Sequence, residues 1–88
     1  MHLQTPYLEP KIMMHFIFHY MEYENGQSVR DGIEYYATHE DVTVDTINVE
    51  KLKAFVQTNV LKDPSAAITI LNIQSINEDH YNDKMKSR

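Results

Sequence analysis

Histidine, carboxylate and tyrosine are the side chains of this 88-residue chain that could do chemistry, and their spacing decides how much. Five histidines raise the question of a metal ion, above all His15 and His19, four residues apart in one stretch. That stretch has a strand-like pattern. At about 3.3 Å per strand residue the two stand about 13 Å apart, too far to share an ion whose bonds are about 2.1 Å long. Each could join a separate site with His39 or a carboxylate. The reading preferred is no metal centre, with the histidines as amphipathic strand residues whose titration tunes an interface. Acid and base catalysis needs converging carboxylates or a polarised pair in a pocket. Here the acids are spread along strands and turns, two glycines leave no phosphate-binding loop, and no nucleophile elbow is present. No catalytic residue and no cofactor are therefore expected.

The carboxylates instead read as a binding surface. Residues 21–50 carry Glu22, Glu24, Asp31, Glu34, Glu40, Asp41, Asp45 and Glu50 against Arg30 alone, a local charge of −7 within a chain of −5. Such a segment repels phosphate, which argues against direct nucleic-acid binding and for a protein partner with a basic surface. Its bland alternative is a solvated, solubilising face. Six tyrosines add aromatic anchors: Tyr35 is expected in the core, and Tyr36, Tyr23 and Tyr20 beside the acids. Cross-strand stabilisation would explain them equally well. The expected protein-binding set is Glu22, Glu24, Asp31, Glu34, Tyr36, Glu40 and Asp41.

Size allows one domain with one modest core. Cysteine is absent, so packing alone holds it, which fits a reducing, cytoplasmic setting. The longest apolar run, Ile12 to Phe18, is broken by His15 and far too short to cross a membrane, and acidic Glu22 and Glu24 follow where a secretory signal wants small residues.

The elements that must position these groups follow from local signals. Residues 1–12 carry two prolines and no periodicity, and read as an irregular extension. Met13 to Tyr23 is apolar on both faces, as a central strand is. Asn25-Gly26 suits a two-residue type I′ hairpin turn. Pairing outward sets Phe18 opposite Ile33, Phe16 opposite Tyr35 and Met14 opposite Ala37, with His15 opposite Tyr36, Ile17 opposite Glu34 and Met21 opposite Arg30 on the reverse face. A bulge or a wider loop is expected where Asp31-Gly32 meets His19. Asn48 is an N-cap for a helix over Val49 to Leu61, Ile47 staples against Leu52, and Asp63-Pro64 ends it. Val49, Leu52, Phe55, Val56 and Val60 share its buried side. Ala66 to Ile76 is a strand whose apolar residues change parity, which a twist or bulge near Asn72 reconciles. Residues 79–88 read as a polar, fraying tail.

These elements predict an α+β fold: a ββαβ domain over residues 13–78, with a three-stranded sheet in the order 2-1-3 and the helix on one face. The other face, with Met13, Ile17, Met21, Leu71 and Ile73, is then left open as a homodimer surface, and Ala66 to Ile76 as an edge for pairing.

The closing run Ile-Thr-Ile-Leu-Asn-Ile-Gln-Ser-Ile-Asn-Glu over residues 68–78, with the hairpin and the acidic approach to one helix, resembles small uncharacterised proteins of phages and mobile elements in Gram-positive bacteria. The resemblance covers residues 13–78 and carries over no functional residue. It implies a start at Met13 or Met14, and a non-enzymatic inhibitor or regulator that binds a host protein, here through the acidic hairpin. The alternative is a homo-oligomeric assembly module joined through the open sheet face.

Overall fold

The computed structural model describes residues 12–87; the expected extension over residues 1–12 thus lies, but for Ile12, outside the described residues. Strand β1, Met14–Glu24, turns at Asn25-Gly26 into β2, Gln27–Thr38. Both turn residues take positive φ, +53° and +80°, as a type I′ turn requires. Helix α1, Val49–Phe55, passes without a break into one π-helical stretch, Val56–Val60, closed by the Leu61 N–H donating to the Val56 carbonyl at 2.9 Å. Strand β3, Ala67–Ile76, pairs antiparallel with β1 on the side away from β2, so the sheet order is 2-1-3. The fold is α+β, as the patterning predicts, with the expected helix between β2 and β3.

The covered face of the sheet carries the core. Phe16, Phe18 and Tyr20 of β1 and Ile68 of β3 pack under Leu52 and Val56, with Ile47 and Ala66 closing the ends. Asn48 caps α1 by accepting from the Glu50 N–H at 2.9 Å, and Ile47 before it is buried in the same cluster as Leu52, as a hydrophobic staple requires. Lys62, at φ +55°, leaves the helix in the left-handed conformation just before Asp63-Pro64.

Two bulges set which side chains share a face. In β3, Asn72 at φ +53° is the extra residue, and the register moves by one between Ile17 and His19. This is the bulge the mixed parity called for: Ile68 and Ile70 before it and Ile73 after it all pack against the core, while Leu71 is turned to the other face. The hairpin bulge lies elsewhere than expected. Glu22 pairs with Arg30 but Tyr23 with Ser28, so Val29 is the extra residue, and beyond it every pair is displaced by one. Phe16 stands opposite Tyr36, Phe18 opposite Glu34, Tyr20 opposite Gly32 and Met14 opposite Thr38. A one-residue shift exchanges faces, because side chains alternate along a strand. Gly32 shows what this register accommodates: a Cβ there would stand 2.8 Å from the Tyr20 hydroxyl and 2.9 Å from Tyr20 Cε1. The Tyr20 ring lies over the glycine, a close approach that only a residue without a side chain permits.

The polar C-terminus is also corrected. Residues Glu78–Lys86 form a second helix, α2, capped by Asn77, whose Oδ1 accepts from the His80 N–H at 2.7 Å. Acids in its first turn and lysines in its last complement the helix dipole. It lies on the sheet face opposite α1. The Tyr81 ring rests against His15 with centroids 4.7 Å apart, and His80 approaches Tyr35 at 6.3 Å.

Candidate protein-binding face

The face opposite α1 displays His15, Ile17, His19, Met21 and Tyr23 from β1, Ala37, Tyr35, Ile33 and Asp31 from β2, and Ile76, Gln74, Leu71, Thr69 and Ala67 from β3. Helix α2 covers only one end, burying His15. Toward the hairpin the face stays open: Ile33 is 57% exposed and Leu71 36%. Ile17, His19 and Met21 are half-buried between them. A shallow depression of about 210 Å³ lies here, lined by Ile17, Phe18, His19, Ile33, Asn72 and Gln74. It lies beside the Asn72 bulge, where Phe18 has no single partner in β3.

One polar side-chain contact crosses this surface. His19 Nε2 and Asp31 Oδ2 are 3.0 Å apart, with the aspartate side chain 64% exposed. Among the strand residues of this face Asp31 is the one with a carboxylate, so the open part carries little charge within an acidic chain. The Tyr23 hydroxyl donates to Met21 Sδ at 3.6 Å, which fixes the thioether beside it.

The acidic residues expected to form one contact surface are dispersed. The Val29 bulge turns Glu34 to the helix side, the side that Glu22 shares with Phe18 and Tyr20 by strand alternation, and both are buried. Glu22 Oε1 lies 3.4 Å from Arg30 Nε, an ion pair without good hydrogen-bond geometry. Tyr36 points the same way, its ring edge-on to Phe55 at 5.4 Å. Glu40 binds Lys51 Nζ through both oxygens at 2.7 Å, tying the loop after β2 to the first turn of α1. That ammonium holds the Glu40 carboxyl below its ordinary pKa, and the Lys51 amine is raised in return. Asp31 belongs to the opposite face. Glu24 and Asp41 remain exposed, at different places in the chain. Of the expected dimer residues, Ile17, Met21 and Leu71 share the open face, Met13 stands half-buried ahead of β1, and Ile73 is corrected to the core by the Asn72 bulge.

Sequence reasoning missed Ile33, which the one-residue slip carries from the core to the open face. It also missed the cover at the other end, although Asn77 followed by Glu78 and Asp79, with Tyr81 and Met85 four residues apart, was a helix signal.

A second depression of about 330 Å³ runs along Gln57, Thr58, Asn59, Lys62 and Pro64 and brings one ionisable side chain with it. Among the described residues no three histidines or carboxylates come together as a metal-binding group, and no helix is long and apolar enough to cross a membrane. No protein-family model, no curated protein and no solved structure matches the chain.

Proposed function

We propose that this chain is a non-enzymatic protein-binding module whose contact surface is the open sheet face around Ile17, Met21, Ile33 and Leu71. The observation that carries this reading is the exposure of Ile33 and Leu71 on a face that carries little charge, beside a core already filled by Phe16, Phe18, Leu52 and Val56. Contiguous exposed apolar residues rimmed by polar ones are characteristic of association surfaces. Neither of the two shallow depressions among the described residues brings a nucleophile and a base together. The phage-type resemblance makes a host protein the natural class of partner. With the acids dispersed, apolar contact carries more of the binding than charge does.

Affinity capture with immobilised protein tests this. Partners held by the wild type should survive high salt, be lost with Ile33→Glu, and be retained by Glu24→Lys and Asp41→Lys. Partners that ignore Ile33→Glu and leave on charge reversal at Glu24 and Asp41 would move the binding surface to the acidic loops.

A further inference from the structure

The outer edge of β3 is a different surface from the open face. Ala67–Ile76 is ten residues long and contains no charged residue, no proline and no glycine, in a chain of net charge −5. Its ladder bonds run to β1, and among the described residues nothing pairs with its other side. An unpaired strand edge presents a row of free donors and acceptors, which proteins guard with charge, proline, bulges or a covering element. The other edge strand, β2, is guarded in this way, carrying Arg30, Asp31, Glu34 and the Val29 bulge. On β3 the one guard is the bulge at Asn72, and it leaves Ala67–Leu71 as a regular five-residue edge.

We propose that this edge pairs with the same edge of a second copy of the chain, antiparallel about a two-fold axis at Thr69, giving a continuous six-stranded sheet in the order 2-1-3-3-1-2. The neutrality of the edge selects this occupant. Two copies of an acidic protein repel each other over most of their surface, whereas β3 meets β3 without bringing like strand charges together. The register is self-complementary: Thr69 faces its own counterpart, Ile68 stands beside Ile70 of the other copy, and Ala67 beside Leu71. Threonine pairs and β-branched pairs stabilise adjacent antiparallel strands. The axis is perpendicular to the sheet, so both α1 helices lie on one side and the two open faces join into one surface on the other. Pairing consumes both β3 edges and leaves the guarded β2 edges outside, so the assembly closes at two copies instead of growing into a fibre.

Sedimentation of the full chain over a range of concentrations should show a monomer–dimer equilibrium. Thr69→Lys places two ammonium groups face to face at the axis and should raise the dimer dissociation constant about tenfold or more. Ile33→Glu, on the open face, should leave the dimer unchanged. Because the chain has no cysteine, Thr69→Cys supplies a single thiol. A short thiol-to-thiol crosslinker should join its copies, while Thr38→Cys at the far end of β2 should dimerise equally but escape crosslinking. A wild-type monomer at every concentration overturns the proposal. So does a dimer that survives Thr69→Lys but dissociates with Ile33→Glu, a result that would assign self-association to the open face.

Discussion

At the scale of single residues, the group that separates this domain from a plain apolar sandwich is Tyr20 with its neighbours. Its ring lies over Gly32, with Glu22, Glu34 and Arg30 close on the same face of the sheet. Burial first, then the negative charge of Glu34, raises the Tyr20 pKa above its ordinary value, with Arg30 opposing. The neutral phenol is therefore favoured more in the folded than in the unfolded chain. Its contribution to stability is complete below about pH 10 and is lost as pH rises through the folded value. In a spectrophotometric titration Tyr20 should ionise after the ordinary tyrosines, and Tyr20→Phe should remove the late phase. The ion pair beside it should respond asymmetrically. Arg30→Ala leaves the buried Glu22 carboxylate without its counter-charge and should cost about 1–2 kcal/mol, the exposed guanidinium being screened by water. Glu22→Leu, which replaces the charge with an apolar side chain beside Ile68, should be neutral or stabilising. Urea midpoints of the two variants check the pair. A larger loss with Glu22→Leu than with Arg30→Ala would mean that the carboxylate holds structure beyond this ion pair.

At the scale of elements, the two bulges distribute the side chains. Asn72 in the left-handed region allows β3 to place Ile68, Ile70 and Ile73 on the core while Leu71 faces outward. Asparagine tolerates that conformation and a β-branched residue does not. Asn72→Val should cost about 1–3 kcal/mol by thermal or urea unfolding, and Asn72→Gly should be nearly neutral. Helix α2 depends on its cap in a similar way. Asn77→Ala removes the acceptor of the His80 N–H and should cost about 1 kcal/mol, confined to that helix. Hydrogen exchange should show faster amides over residues 78–86 and little change in β1, which separates fraying of α2 from loss of the whole fold.

At the scale of the whole molecule, the sheet has two different exposed surfaces, an apolar face half-covered by α2 and an uncharged edge. Contacts made through either should respond to salt unlike contacts made by the acidic loops. Exposed charge pairs weaken as ionic strength rises, whereas burial of apolar surface and backbone pairing does not. The dissociation constant of the self-paired form should accordingly stay level or fall between low and high salt in sedimentation. A rise of an order of magnitude would assign the association to charge. The tie between Glu40 and Lys51 behaves oppositely, loosening with salt and as pH falls through the lowered Glu40 pKa.

Much of this architecture follows from interactions between near neighbours in the chain. Asn25-Gly26 dictates a hairpin because both residues accept positive φ. Asn48 and Ile47 start α1, Asp63-Pro64 closes its exit, and the parity change in Ala66 to Ile76 calls for a twist or a bulge near Asn72. Those constraints act within a few residues, so they can be read in order along the sequence, and with the hairpin they yield the sheet order. The partition of residues between the two faces does not follow in that way. It rests on one inserted residue, Val29, which sends Glu34 and Tyr36 beneath the helix side and Ile33 into the open, and which is compatible with Tyr20 only because Gly32 stands opposite. The position of α2 likewise depends on His15 and Tyr35, more than forty residues before it, meeting Tyr81 and His80. A strand apolar on both sides is compatible with either register, and only simultaneous packing of the strands and both helices selects between them.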